Sequence, residues 1–276
     1  AGADNTSALA FGGLNPPTFY ANTESWNGSS WTEVNDLNTA RRDLGGNGII
    51  TSALAYGGDT PGATAATESW NGTSWTDVAD LNTARRLAGA GTDNTNALGI
   101  GGETPGGASA LTESWNGSIW TETSDLNTAR QELGATGASN SSALAFGGSL
   151  NPPAVAFTEE WNAGINLGAW YTGGTMNTAR KKLATFGTQT SALAVGGTSD
   201  PPVRANTELY NGTSWAEINN LNAATQELAG AGTSTAGLVF GGETPGVVIE
   251  DKTELWNGST WTEVNDMNDA RRNLMG

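Results

Sequence analysis

Six glutamates recur in one setting, with a threonine before and a short aromatic hairpin after: Glu24, Glu68, Glu113, Glu159, Glu208 and Glu254. Glycosidases use carboxylates as a pair roughly 5 to 10 Å apart, in environments that keep one protonated and the other ionised. Eleven tryptophans stand beside the glutamates, starting with Trp26 and Trp31 in TESWNGSSWTEV (residues 23–34). An exposed indole offers a flat face to a ligand ring. Histidine and cysteine are both absent. That removes imidazole and thiolate metal ligands, disulfides, and the Ser/His and Cys/His nucleophile systems.

What these groups can do depends on what positions them, and a fixed internal period answers that first. A Gly-Gly pair closes an apolar run at Gly12-Gly13, Gly57-Gly58, Gly101-Gly102, Gly147-Gly148, Gly196-Gly197 and Gly241-Gly242, with spacings of 45, 44, 46, 49 and 45 residues. Thr-Glu, an aromatic-turn-Trp unit and LNTAR or a variant follow each pair. Six units fill residues 1–276 as a single domain. Runs such as SALAFGG alternate Ala with a larger apolar residue, so the strand is buried on both faces. TESW and SWTEV flank Asn-Gly, which predicts a hairpin through a type I′ turn with positive φ at both central residues. Segments like RRLAGAGT supply a fourth strand, rich in Gly and Ala, where backbones crowd together. The density of Gly, Thr and Asn argues against a paired-helix array of similar period. The expectation is an all-β chain: a six-bladed β-propeller of four-stranded antiparallel blades.

The chain ends are out of phase with the repeat. Joined head to tail, ARRNLMG and AGADNTSAL nearly reproduce the internal RRLAGAGTDNTNAL. Gly276 is therefore expected beside Ala1, with the two termini completing one inner strand so that the ring is closed and no blade is left with an open edge.

Gly-Gly closing the second strand, an aromatic in the third and Trp in the fourth resemble the kelch repeat, over the whole chain and in six ordered copies. The third-strand aromatic here is Trp in every unit but one, which has Tyr210. The near-verbatim WNGTSW and LNTARR are similar to kelch-like repeats of virion proteins of marine bacteriophages. The first resemblance implies the propeller, and the second implies a virion surface or tail setting. Kelch-like propellers include copper-dependent sugar oxidases, but the copper ligands there include histidines and a crosslinked cysteine, which this chain lacks. Sialidases on other six-bladed propellers rely on a central arginine triad, whereas the arginines here recur in the LNTAR phrase.

The regularity itself argues for structure. Eleven indoles at repeated hairpin positions, Trp26 and Trp31 among them, suit wedges between adjacent blades. Six equivalent carboxylates on a ring share one environment, which is the opposite of what acid–base chemistry needs. Their natural partners are Arg41, Arg85, Arg130, Arg180 and Arg271, expected within about 4 Å and tying each outer hairpin to the next inner strand. The fifth unit has Thr225 instead, so Glu208 is expected to lack a partner. Sequons occur at Asn5, Asn27, Asn71, Asn116, Asn140, Asn211 and Asn257, and five of these are the hairpin Asn-Gly, where turn chemistry already explains the Asn.

Function is expected where the repeats differ, in the loops that follow Gly-Gly and emerge on one face around the channel. The candidate binding residues are Asn15 and Tyr20 in the first loop, Asp59 in the second, Glu103 in the third, Asn151 in the fourth, Asp200 and Arg204 in the fifth, and Glu243 in the sixth. Prolines stiffen these loops and lower the ordering cost of binding. The fourth unit lengthens its hairpin to WNAGINLGAW (161–170) and continues to Arg180, Lys181 and Lys182, a basic spot suited to contact with another chain. Asp4, Asp59, Glu103, Asp200 and Glu243 are hard oxygen ligands of the kind calcium takes, but none falls in an EF-hand spacing, so no metal or cofactor is assigned.

Twelve basic against 28 acidic residues give a net charge of −16, which repels phosphate backbones and anionic lipid, so neither nucleic acid nor membrane is expected as a partner. No apolar run of membrane-spanning length occurs. The opening AGADNTSALA lacks the basic and apolar regions of a signal peptide, and without an initiator Met the chain is expected to be a processed product or a piece of a longer one. The expected function is non-enzymatic: a binding or structural propeller, virion-borne or extracellular, whose loops meet other protein chains or a surface receptor. The alternative is a lectin-like propeller that binds a glycan.

Overall fold

Twenty-four strands assemble into six four-stranded antiparallel sheets, with two short ribbons added, and no helix occurs among the described residues. The computed structural model describes residues 2–164 and 168–276. The predicted neighbourhood of Ala1 and the middle of the lengthened fourth hairpin (165–167) lie outside the described residues.

Blade one comprises Gly2–Asp4, Ser7–Phe11, Thr23–Trp26 and Trp31–Val34. Blades two to six repeat it, with second strands Ser52–Tyr56, Asn96–Thr104, Ser142–Phe146, Ser191–Val195 and Ala236–Phe240. Each second strand is buried on both faces, as its Ala/large alternation predicts; Ala8, Leu9, Ala10 and Phe11 are all inaccessible to solvent. The small face lets the neighbouring sheet approach, and the large face fills the gap on the other side.

The outer-strand tryptophans reach across the blade interfaces. Trp75 packs against Phe11 of blade one at 5.0 Å, Trp120 against Tyr56 of blade two at 4.8 Å, and Trp31 against Phe240 of blade six at 4.8 Å. At all six interfaces the outer indole N–H donates to the threonine hydroxyl of the preceding blade's Thr-Glu: Trp31 to Thr253, Trp75 to Thr23, Trp120 to Thr67, Trp170 to Thr112, Trp215 to Thr158 and Trp261 to Thr207, at 3.0 to 3.2 Å. One side chain thus buries a large apolar area and satisfies its polar handle in the same interface. The third-strand indoles bond within their own blade, as Trp26 Nε1–H does in donating to the Asn5 carbonyl at 3.1 Å.

The hairpin turn differs from the expected type I′. Trp26 pairs with Trp31, leaving four loop residues, and of the Asn-Gly pair only Gly28 takes positive φ (92°). The Asn27 side-chain oxygen instead accepts from the backbone N–H groups of Ser29 and Ser30, both at 3.0 Å, and Asn71, Asn116, Asn211 and Asn257 do the same. An Asx turn closes a four-residue loop where a two-residue turn was expected.

Both ends of the chain serve blade one. Met275 exchanges two backbone hydrogen bonds with Phe11 (3.0 and 3.1 Å), while Gly2 lies opposite Ala8 and Asp4 opposite Ser7. Along this one second strand the C-terminal residues occupy one half of the inner position and the N-terminal residues the other, so the ring is closed by its termini. The loops after Gly-Gly and the connections from one blade to the next share the upper face; the first hairpin of each blade and the Asn-Gly turns share the lower.

Candidate functional site

The repeated glutamates are buried structural staples. Glu68 takes the Arg41 guanidinium at 3.0 Å, Glu159 that of Arg130 at 2.8 Å, Glu208 that of Arg180 at 2.8 Å and Glu24 that of Arg271 at 2.9 Å; Arg85 pairs with Glu113. All five arginines are fully buried. The other carboxylate oxygen accepts from the Asn three residues before that arginine, as when Asn177 donates both its backbone and side-chain N–H to Glu208 at 2.7 and 2.9 Å. Burial pulls Arg41, Arg130, Arg180 and Arg271 down and pushes Glu68 up, and the attraction within each pair opposes both shifts.

The pairing is shifted by one unit from the expectation. Each arginine binds the glutamate of the following blade, so the tie runs from the connection to the next third strand. Glu208 is consequently paired, and Glu254 is the glutamate facing Thr225.

Above the staples, a set of polar residues reaches the mouth of the channel. Five units carry one extra polar residue before the leucine that recurs in every unit: Asp43, Glu132, Lys182, Glu227 and Asn273. All five hold left-handed φ between 52° and 57°. Their backbones form a belt: Lys182 N–H donates to the Glu132 carbonyl, Glu227 to Lys182, Asn273 to Glu227 and Asp43 to Asn273, at 2.9 to 3.0 Å. The second unit lacks the extra residue, reading RRL (85–87) where the others read RRDL, RQEL, RKKL, TQEL or RRNL, and the belt is interrupted there. Beneath the rim Leu44, Leu87, Leu133, Leu183, Leu228 and Leu274 line the same cavity, about 160 Å³ in volume.

The rim side chains bind one another. On blades two and three Arg42 and Arg86 share Asp59 at 2.9 and 3.1 Å, and Arg86 also holds Glu103 at 2.6 Å. Farther round, Lys181 bridges Glu132 and Asp200 at 2.9 and 3.0 Å, Lys182 binds Glu227 at 2.5 Å, and Arg272 joins Glu227 (3.0 Å) and Glu243. The predicted basic spot is therefore absent: Arg180 is buried on Glu208, and both lysines are held by carboxylates. The calcium candidates do not converge either. The four rim carboxylates already hold the protein's own cations, and Asp4 sits on the lower face, accepting from Thr6.

Of the eight candidate binding residues, Asp59, Glu103, Asp200 and Glu243 come to the rim. Asn15, Tyr20, Asn151 and Arg204 stay on separate loops. Asn15 donates to the Ala270 carbonyl at 3.1 Å, Tyr20 and Arg204 are half-buried, and Asn151 is exposed at a tip with φ 63°. Two groups of residues escaped the sequence reading. The belt residues were legible as an insertion before the leucine, and the loop-tip apolar residues as departures from polar loop composition.

All nine prolines, Pro16, Pro17, Pro61, Pro105, Pro152, Pro153, Pro201, Pro202 and Pro245, lie exposed in the six upper loops. Leu150 and Phe157 in the fourth of those loops and Val247 and Val248 in the sixth are four of the seven exposed large apolar side chains among the described residues. All twelve basic residues belong to the upper loops or the LNTAR-type connections, while the lower turns are mostly Asn, Ser and Thr. Among the described residues the two faces thus differ in charge and in apolar exposure.

Asp43 gives the rim a pH dependence. Burial raises its carboxyl from 3.8 to about 6; Arg42 and Arg86 pull it down, and Glu227 and Asp59 push it up. A folded value above the unfolded one means that this group's stabilising contribution is complete below about pH 4 and is lost as the pH rises through 6. Asn tolerates left-handed φ, as Asn273 does here. Asp43→Asn should therefore match the parent at pH 4 and exceed it by about 2 kcal/mol at pH 7.5 in thermal or denaturant unfolding. Equal differences at both values would reject the assignment.

Among solved structures the chain is similar to the structure of YjhT, with a TM-score of 0.69 over 96% of this chain and 98% of that one at 11% identity. A likeness at that identity supports the propeller fold alone. No family model matches the chain, and no curated protein sequence does.

Proposed function

We propose that the chain is a non-enzymatic binding or structural propeller whose upper loops contact another protein chain. The observation that carries this reading is the gathering of all nine exposed prolines and four large exposed apolar residues onto the upper loops. Proline-stiffened loops lose little entropy on binding, and exposed Leu, Phe and Val supply the apolar anchors that protein interfaces bury. Val247 is 72% exposed and holds φ 66°, a conformation β-branched residues rarely take, which suits a loop shaped for contact. The staple glutamates favour a structural role over an enzymatic one, since five of the six are neutralised by arginine. The setting we favour is a virion surface or tail, or another extracellular surface, on the wording of the WNGTSW and LNTARR repeats.

The lectin reading is separated by a glycan array. The protein-contact reading expects no saturable sugar binding. Specific binding to one glycan class, abolished when Phe157 and Val247 are changed to serine, would replace it with the lectin.

A further inference from the structure

Blade six differs from the other five at one buried side chain, and the other five show what that position normally holds. In those blades the guanidinium takes a recurring set of acceptors. One is an oxygen of the Thr-Glu carboxylate. Another is the carbonyl of the first glycine of Gly-Gly, bonded by Arg85 at 3.1 Å, Arg130 at 2.9 Å and Arg180 at 2.7 Å. A third is the carbonyl just before Thr-Glu, bonded by Arg41 at 2.8 Å, Arg130 at 3.0 Å and Arg180 at 2.7 Å.

The equivalent acceptors in blade six belong to Glu254, Gly241 and Lys252. All three residues line a cavity of about 240 Å³ beside Thr225. Asn222 still donates its backbone and side-chain N–H to one oxygen of Glu254, at 3.0 and 2.7 Å, so the carboxylate keeps the attachment seen in its paired counterparts. Among the described residues no arginine or lysine lies within ion-pair distance of Glu254. Lys252, on the cavity wall, is bound to Glu263 and Asp266, both at 3.0 Å.

We propose that this cavity binds a guanidinium group from outside the chain, held by Glu254 and the carbonyls of Gly241 and Lys252 as the five internal arginines are held. The planar, forked donor set of guanidinium matches one carboxylate plus carbonyls in fixed directions, which a compact ammonium does not. Burial pushes the Glu254 carboxyl up, as it does the paired Glu68. A small guanidino compound or an arginine side chain of a partner would supply the same chemistry. The inference stands on the repeat geometry and does not depend on the proposed upper-face contact.

The test is calorimetric titration of the full chain with methylguanidinium, methylammonium and an N-acetylated, C-amidated Gly-Arg-Gly peptide. Saturable one-to-one binding of methylguanidinium is expected, weakened more than about tenfold in Glu254→Gln and in Thr225→Arg, whose own arginine would fill the site. Peptide binding at least as tight as methylguanidinium assigns a partner's arginine, and binding of methylguanidinium alone assigns a small ligand; both uphold the site. Glu254→Gln keeps the test decisive if Thr225→Arg does not fold. No saturable binding to the parent, equal affinity for methylammonium, or undiminished binding in Glu254→Gln would overturn the proposal.

Discussion

Arg180→Met is expected to destabilise the ring by about 3 to 5 kcal/mol. Arg180 and Glu208 are both fully buried, with the guanidinium 2.8 Å from the carboxylate and two further bonds of 2.7 Å to the carbonyls of Gly196 and Asn206. Removing the cation leaves a buried carboxylate held only by Asn177 and Thr178, and it strips donors from two buried carbonyls. The double variant Arg180→Met/Glu208→Gln should recover a large part of the loss, because the desolvated charge disappears with its partner. In blade six, where Glu254 faces Thr225, Glu254→Gln alone should be close to neutral or stabilising. Denaturant unfolding of the four proteins separates these outcomes. An Arg180→Met chain within about 1 kcal/mol of the parent would remove the staple from the account.

Deleting residues 272–276 is expected to cost about 4 kcal/mol or more and to promote self-association. The segment contributes Leu274, buried in a cluster with Trp26, Trp31 and Phe240 between blades six and one. It also supplies the Met275–Phe11 and Arg272–Leu14 backbone pairs and the Asn273 link in the belt. Without it, much of the second strand of blade one becomes an open edge, the feature most prone to pairing with another chain. Thermal unfolding and sedimentation velocity check both parts. A truncated chain that melts with the parent and remains monomeric would show that closure by the termini contributes little.

The fold was legible because its instructions are local and repeated six times. Ala/large alternation specifies a doubly buried strand, Gly-Gly marks its end, and paired tryptophans mark the outer hairpin. What failed was non-local or a matter of counting. A period makes Glu24, Glu68 and their counterparts equivalent, so it cannot say whether Arg41 reaches back to its own blade or forward to the next. Hence Glu208 was expected to be the unpaired glutamate where Glu254 is. The type I′ expectation rested on Asn-Gly alone; counting from Trp26 to Trp31 gives four loop residues, too many for that turn. Lys181 and Lys182 read as a basic spot because their carboxylate partners come from residues 45 or more positions away or from neighbouring loops. The belt was visible as RRDL against the RRL of the second unit.

The central claim is that the repeated parts hold the ring while the upper loops make its contacts. The most direct measurement places a photo-crosslinking amino acid at Val247 on the upper face or at Ile119 in a lower turn, both exposed apolar positions, and irradiates each protein in its native particle or cell. Adducts to a distinct second protein are predicted from position 247 and not from position 119. Equal adducts from both positions, or adducts from 119 alone, would contradict the assignment of the upper loops as the contact surface.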